Sequence, residues 1–194
     1  MATDKNKVEF GISNLYVGTY EVDSSTQAVT MGTPYHLPGA VSLSLDAESN
    51  EQKFYADNVV YWSGYTDNGF TGSLEVARFT DDFKKNFMGY IELDDGGLAQ
   101  IKNAIKPKLY LAFQSEGDAQ KRRGIVYNVS LGALSRSYET IEENVEPTTE
   151  SIDLTVVGDN ATGITRVGYA EDATGYDTLF TNPPAPQLPS ESES

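Results

Sequence analysis

Strict alternation of apolar and polar side chains in three stretches constrains the fold of this chain most strongly. The stretches are GAVSLSLD at 39–46, GFTGSLEVARF at 69–79 and SIDLTVV at 151–157. Successive side chains of a β-strand point to opposite faces, so a period of two predicts strands with one face in a core. The predicted core-facing residues are Val41, Leu43, Leu45, Phe70, Leu74, Val76, Ile152, Leu154 and Val156. The predicted outward-facing residues are Ser42, Ser44, Asp46, Thr71, Ser73, Glu75, Asp153 and Thr155.

Further strands are predicted on both sides of these stretches. In VEFGISNLYVG at 8–18 the apolar alternation shifts phase, which predicts a bulge near Ser13-Asn14. KFYA at 53–56 and NVVYW at 58–62 are interpreted as two short strands that meet at Asp57-Asn58, because Asp and Asn favour turns. KLYLAFQ at 108–114 and GIVYNVSL at 124–131 predict a long hairpin.

Two segments have helical signals. In TDDFKKNFMG, Thr80 is suited to cap a helix, Phe83 and Phe87 form one apolar stripe, and Gly89 is suited to end it. GGLAQIKNAIKP at 96–107 predicts a second helical turn from the spacing of its apolar residues. The predicted fold is mainly β, an antiparallel β-sandwich or barrel with one short flanking α-helix.

The length of 194 residues suits one domain with appendages. We expect a single domain over 1–182 and a disordered tail over 183–194, where the chain is rich in proline and serine and lacks apolar periodicity. The absence of cysteine excludes disulfides and thiolate chemistry. The chain has no run of about 20 apolar residues and no apolar core of a signal peptide, so we expect it to fold in a cytoplasm.

The charge is strongly negative and uneven. The net charge is −15, and residues 139–194 hold 12 acidic groups and one basic group. Such a surface repels phosphate backbones and anionic lipids, so specific nucleic-acid binding and membrane contact are not expected.

No residue pattern indicates catalysis. The single histidine, His36, lies between two prolines and is interpreted as a surface or turn residue, and no nucleophile or nucleotide-binding motif is present. A calcium site is conceivable at Asp94-Asp95-Gly96-Gly97 or in EDATGYD at 171–177, although neither has EF-hand spacing. We therefore predict a protein that is not an enzyme, with no catalytic, cofactor-binding or metal-binding residue, and we interpret Asp57 as a turn residue.

An ordered series of motifs resembles a known family. NKVEFGISNLYVGTYE, PGAVSLSLDAE, KFYADNVVYW, GFTGSLEVARFTDDFKKNFMG and ESIDLTVVG follow one another between residues 6 and 158. Together they resemble the major tail protein, or tail tube protein, of bacteriophages with long non-contractile tails. The resemblance implies a structural protein of the virion, made in the host cytoplasm, without cofactor or enzymatic activity.

The resemblance also implies partners. Members of that family form hexameric rings that stack into a tube, which holds the tape measure protein, joins terminator and baseplate proteins, and passes DNA without binding it specifically. The alternative is a monomeric β-sandwich module that binds carbohydrate or a receptor, for which the 12 tyrosines and Trp62 would supply stacking surfaces.

Two hypotheses about sites follow. The cations Lys121, Arg122 and Arg123 lie at a predicted hairpin tip and could touch an acidic surface of a neighbouring subunit, such as the segment at 138–151; otherwise they only aid solubility. Asp46, Glu75 and Asp153 end or interrupt polar strand faces and could line the bore of a tube, where carboxylates repel DNA; otherwise they lie on its outer surface.

Overall fold

The computed structural model describes residues 11–117, 121–136 and 148–189. Within these ranges the chain forms eleven β-strands and one α-helix. The elements are β1 Ile12–Val22, β2 Val29–Met31, β3 Tyr35–His36, β4 Ala40–Ala56, β5 Val59–Val76, α1 Asp81–Met88, β6 Tyr90–Glu92, β7 Leu98–Gln100, β8 Leu109–Ser115, β9 Arg123–Arg136, β10 Glu150–Val156 and β11 Arg166–Tyr169.

Nine strands build one antiparallel sheet. Its main order is β2-β1-β8-β9-β10-β5-β4, with β3 beside β1 and β11 beside β9. The strand β9 pairs along one edge with β8, and along the other with β11 and then with β10. The predicted fold class is confirmed: the chain is mainly antiparallel β with one short helix.

The main core lies between the inner face of this sheet and α1. The predicted alternation holds on β5 and β10, where Leu74, Val76 and Ile152 are fully buried. Phe83 and Phe87 of α1 pack into the same cluster. The predicted position of Val41 in the core is wrong. A register shift between Ala40 and Ser42 makes Val41 the extra residue of a bulge, and it is half exposed.

The helix forms as predicted because its ends are chemically specified. The Thr80 hydroxyl accepts a hydrogen bond from the Phe83 N–H, and Gly89 ends the helix in the left-handed conformation.

The prediction of a second helical turn at 96–107 is wrong. Leu98–Gln100 instead pairs with Tyr90–Glu92 as β7, across a turn in which the Asp95 side chain accepts from the Gly97 N–H. A hydrogen-bonded hairpin therefore outweighs a weak helical pattern here.

The predicted bulge in β1 is confirmed by a register shift between Ser13 and Tyr16 and by the positive φ of Asn14. The short strands predicted at 53–56 and 58–62 are instead the meeting ends of two long strands, β4 with 17 residues and β5 with 18. The part of the first predicted strand at 8–10 lies outside the described residues.

A second core cluster lies on the opposite face of β1, β8 and β9. The C-terminal segment covers this face and contributes Leu179, which is fully buried against Tyr110 and Tyr127. The Tyr127 hydroxyl donates to the carbonyl of Pro184. Pro183 and Pro186 are also buried. Residues 190–194, the end of the segment predicted to be disordered, lie outside the described ranges, and the boundary at 182 stays a prediction.

Candidate assembly surfaces

A two-stranded ribbon extends from the sheet. The strand β10 pairs with β5 only over residues 70–76, so the outer halves of β4 and β5 pair with each other alone. About ten residues on each strand, at a rise of about 3.3 Å, make a ribbon roughly 30 Å long. An isolated two-stranded hairpin is at best marginally stable in water. We call residues 48–67 the ribbon.

The ribbon carries an unusual amount of exposed apolar surface. Seven of the fourteen exposed large hydrophobic side chains in the described residues belong to it. Tyr61 is 75 % exposed and packs edge-on against Phe54, with ring centroids 6.4 Å apart. Exposed apolar side chains concentrated on one element in this way indicate an interaction surface. The seven residues are Phe54, Tyr55, Val59, Val60, Tyr61, Trp62 and Tyr65.

The ribbon ends in a two-residue turn at Asp57-Asn58. Both residues have positive φ, 50° for Asp57 and 65° for Asn58. This is the backbone of a tight hairpin turn, which favours Asp, Asn and Gly at its centre. The interpretation of Asp57 as a turn residue is therefore confirmed. The Asp57 carboxylate has no partner among the described residues and lies at the outermost point of the ribbon.

The predicted polar faces of three strands form one continuous surface, which we call the hydroxyl face. Ser44 and Ser73 pair across strands, and their hydroxyl oxygens lie 3.1 Å apart. Asp153 lies opposite Ser73 on the next strand. The structure therefore brings Asp46, Glu75 and Asp153 onto one side of β4, β5 and β10. Its three cross-strand rows are Ser42-Glu75-Ser151, Ser44-Ser73-Asp153 and Asp46-Thr71-Thr155.

The three carboxylates on this face differ in their surroundings. Asp46 and Asp153 are exposed, whereas Glu75 is half-buried. The Glu75 carboxylate accepts hydrogen bonds from the Ser42 hydroxyl at 3.2 Å and from the Thr149 hydroxyl. Glu75 therefore has a structural role in addition to its charge.

Two lysines border the hydroxyl face. The Lys108 ammonium donates to the hydroxyl of Ser130, which pairs with Thr155, and the Lys106 ammonium donates to main-chain carbonyls of β9. Burial lowers the pKa of Lys106. The sequence pattern did not reveal these cations, because residues 106–108 precede β8 and no alternation marks them.

The predicted cation cluster lies at the start of β9. The Lys121 ammonium lies 3.2 Å from the Glu171 carboxylate, and both side chains are exposed. The Arg123 guanidinium donates to the Tyr176 carbonyl at 2.6 Å and stacks over the rings of Tyr176 and Phe180. Arg122 is exposed. Two of the three cations thus hold the C-terminal segment of their own chain, and most of the acidic segment at 138–151 lies outside the described residues.

The remaining polar candidates have local structural partners. His36 is exposed, and its ring packs against that of Tyr16 with the ring centroids 4.9 Å apart. Asp95 caps the β6–β7 turn, and Glu171 pairs with Lys121. Over residues 11–117, 121–136 and 148–189, no group of three His, Cys, Asp or Glu side chains is placed to hold a metal ion. Across the same described part of the chain, no helix combines the length and apolarity needed to cross a bilayer.

No protein-family model and no curated protein matches the chain. Among solved structures, it is similar to the sheath/tube terminator of PVC, an extracellular contractile injection system, with 12 % identity and a TM-score of 0.50 over 84 % of this chain and 99 % of that one.

Two further structures are less similar. One is the tube-terminating cap of the anti-feeding prophage, with 13 % identity and a TM-score of 0.48 over 88 % of this chain and 99 % of that one. The other is the PVC sheath–tube complex, with 12 % identity and a TM-score of 0.45 over 81 % of this chain and 88 % of that one. At such identities the likeness concerns the fold alone, and of the three structures only the PVC terminator reaches a TM-score of 0.50. The protein therefore has a tail-tube-type fold, which is the fold that the resemblance of its motifs to the tail tube family implied.

Proposed function

We propose that this protein is the structural subunit of a phage tail tube. Copies assemble into hexameric rings, and the rings stack into the tube of a long non-contractile tail through which the genome is delivered. Its partners are further copies of itself, the tape measure protein, and the terminator and baseplate proteins. It acts by assembly and needs neither enzymatic activity nor a cofactor.

The ribbon is the observation that carries this proposal. A two-stranded hairpin roughly 30 Å long, with seven exposed large apolar side chains, needs a further surface to become stable. Assembly with other copies would supply such a surface without any additional protein. The tail-tube-type fold and the motif series of 6–158 agree with it.

The hydroxyl face is proposed to line the bore. It consists mainly of short Ser and Thr side chains, together with the carboxylates of Asp46, Glu75 and Asp153. Carboxylates repel the phosphates of passing DNA, and short hydroxyls hold a layer of water at the wall. Lys106 and Lys108 are engaged by oxygens of β9, which reduces their availability to phosphate.

The cation cluster is proposed to touch the neighbouring subunit. Lys121 and Arg122 are exposed at the start of β9 and are the better candidates for this contact. Arg123 would position the C-terminal segment, since its guanidinium lies between Tyr176 and Phe180.

Sedimentation velocity and negative-stain microscopy of the purified chain across a concentration series test the proposal. We expect rings of six copies, followed by stacked rings as the concentration rises. A chain that remains monomeric at millimolar concentration, alone and with its tape measure protein, would contradict it.

One observation favours the second candidate, a monomeric module that binds carbohydrate or a receptor. Tyr61, Trp62 and Tyr65 are exposed on one ribbon and could stack on sugar rings. The same concentration series separates the two functions, because a binding module stays monomeric, and glycan binding would then depend on Trp62.

A further inference from the structure

A groove separates β4 from β1. The strand β4 is the last strand of the large sheet, and within the described part of the chain it pairs only with β5, while β1 lies beside it without pairing to it. Over those residues the other edge of β4 therefore presents backbone N–H and C=O groups that have no strand partner. The apolar side chains that line the groove are Ile12, Val41, Leu43, Leu45 and Phe113.

We propose that residues 1–10 of the same chain occupy this groove as an added strand, which runs antiparallel to β4 and covers its free edge. These ten residues lie outside the described ranges, and they precede Gly11, which itself lines the groove. The contact lies within one subunit, so this inference does not depend on the proposed assembly.

The point at which residues 1–10 join the described chain supports this placement. Gly11 has a φ of 67°, and its carbonyl accepts a hydrogen bond from the Glu116 N–H at 3.3 Å. A glycine with positive φ is a common place for a strand to bend away from its partner. The residues before Gly11 are thus free to leave the edge of β8 and to lie against β4.

The strand order sets the direction of the added segment. β1 is connected to β4 through five successive antiparallel pairings, so the two strands run in opposite directions. A segment that continues β1 backwards from Gly11 therefore runs antiparallel to β4, from the groove toward the ribbon. At a rise of about 3.3 Å per residue, residues 1–10 span roughly 33 Å when extended.

Apolar residues of the segment lie next to the apolar part of the groove. Val8 and Phe10 continue the alternation that ends at Ile12, and Ile12 lines the groove. Val41 on the opposite wall is half exposed, because it is the extra residue of a bulge. Seating Val8 and Phe10 there would remove apolar surface from water on both sides.

The charges follow in the same order. Beyond Phe10 and Val8 the segment carries the cations Lys7 and Lys5, and beyond Leu45 the strand β4 carries the anions Asp46 and Glu48. Cross-strand pairs of opposite charge stabilise antiparallel strands, as apolar pairs do. An antiparallel arrangement thus matches apolar with apolar residues first and cations with anions next.

The added strand would control how copies meet. An exposed edge strand invites pairing with any other chain, and natural proteins prevent this by covering the edge. With residues 1–10 in place, the edge of β4 at the groove is closed in the free subunit. Copies then associate through other surfaces rather than by irregular pairing along this edge.

Disulfide trapping tests the contact, because the wild-type chain has no cysteine. Lys7→Cys is combined in the full chain with a second cysteine at Asp46, Glu48 or Asn50, each of which is exposed. In a dilute mixture of isotope-labelled and unlabelled chains, we expect at least one of these pairs to form a disulfide within a single chain under mild oxidation. Lys7→Cys with Ser24→Cys is the matched control, because Ser24 lies beyond the opposite end of β1. Links only between chains, or no link from any of the three positions, would overturn the proposal.

Hydrogen exchange tests it without new cross-links. Alternate amides of β4 point to the free edge, and in the wild-type chain the added strand should protect those between residues 42 and 48. In the double variant Val8→Ser, Phe10→Ser they should exchange faster by about tenfold or more, while amides of β9 do not change. The control Thr3→Ser, Asn6→Ser alters the segment but keeps its apolar residues.

Equal exchange at β4 in wild type and both double variants would overturn the added strand. That result would leave the proposed function intact, since rings and tubes are detected separately by sedimentation and microscopy. Conversely, a wild-type chain that shows the intrachain disulfide and the protection but never forms rings would remove the proposed function and keep this contact.

Discussion

The ammonium of Lys84 lies 3.7 Å from the carboxylate of Glu150, and both side chains are buried. The same carboxylate accepts the Phe79 N–H at 2.8 Å and lies 3.4 Å from the Arg136 guanidinium. Glu150 therefore joins α1 and the segment before it to the start of β10. Removing one member of such a group leaves an opposite charge in a buried site.

The first prediction is that Glu150→Ala lowers the free energy of unfolding by about 3–5 kcal/mol, because it leaves the Lys84 ammonium without its main partner. Urea denaturation of the purified chain, at a concentration below the onset of any assembly, measures the effect. The double variant Lys84→Met, Glu150→Gln should cost less than the sum of its two single changes. Lys85→Met is the control, since Lys85 pairs with Glu92 at the surface, where an ion pair contributes little to the free energy of unfolding. Equal costs for Glu150→Ala and Lys85→Met would contradict the role assigned to Glu150.

The second prediction concerns acid stability. The Tyr20 hydroxyl donates to the Asp159 carboxylate at 2.6 Å in a buried site. Burial alone would raise the pKa of Asp159, but the hydrogen bonds from Tyr20 and Thr162 outweigh it and lower that pKa. An aspartate with a lowered pKa in the folded state stabilises the fold above the unfolded value of about 3.9. That contribution is lost as the pH falls through the folded value.

Tyr20→Phe should therefore reduce the free energy of unfolding by about 2 kcal/mol at pH 7. The difference from wild type should shrink as the pH falls below about 4. Denaturation curves at several pH values measure it. Tyr16→Phe is the control on the same strand, because the Tyr16 hydroxyl has no partner among the described residues. A pH-independent difference for Tyr20→Phe would show that packing, rather than the bond to Asp159, causes the loss.

Sequence patterns predicted the elements that bury one face and solvate the other. The alternation in 151–157 and the capping residue Thr80 act through neighbours in the sequence. The structure has a strand and a helix, respectively, at those positions. The outer halves of β4 and β5 were not predicted as continuous strands. Both of their faces are exposed, so no alternation marks residues 47–52 or 63–69.

The C-terminal layer escaped prediction for a different reason. Tyr176 and Leu179 are buried, but each lies singly among turn residues, so no period relates them.

The spacing of Leu98, Ile101 and Ile105 predicted a helix that does not form, because Ile105 is 96 % exposed and buries nothing. The hydroxyl face could be predicted strand by strand. Its three cross-strand rows depend on register, which no single segment encodes.

The third prediction concerns the point where the ribbon leaves the sheet. Gly69 has a φ of 97°, and a Cβ atom there would lie 2.1 Å from the carbonyl oxygen of Val156. Gly69→Ala should therefore lower the free energy of unfolding by about 2 kcal/mol or more, through strain and collision with backbone. Gly168→Ala is the control, because a Cβ at Gly168 meets no atom within 4 Å. Thermal melts that rank the two substitutions equally would contradict this reading.

The fourth prediction concerns metal ions. One carboxylate in each of the acidic turns at 94–97 and 171–177 has a protein partner: Asp95 accepts the Gly97 N–H, and Glu171 lies 3.2 Å from the Lys121 ammonium. Addition of EDTA should leave the melting temperature unchanged within about 1 °C. A shift of several degrees, reversed by calcium and not by magnesium, would establish a structural ion.

The fifth prediction tests the proposed bore. Asp46 and Asp153 are exposed on the hydroxyl face, and neither has a hydrogen-bond or ion-pair partner among the described residues, so lysine at both positions should leave the fold intact. Glu75 is unsuitable for this test, because it accepts bonds from Ser42 and Thr149. If the face lines the bore, six subunits carrying Asp46→Lys and Asp153→Lys replace a ring of anions with a ring of cations. DNA phosphates would then be held by charge pairing whose strength falls steeply with salt.

Virions with such tails should assemble normally but eject their genome more slowly, with the delay largest at low ionic strength. The control changes Asp172→Lys and Asp177→Lys, two acidic residues of the C-terminal segment that lie off the hydroxyl face. Equal ejection rates for both pairs of variants and wild type, in virions with normal tails, would exclude the hydroxyl face from the bore.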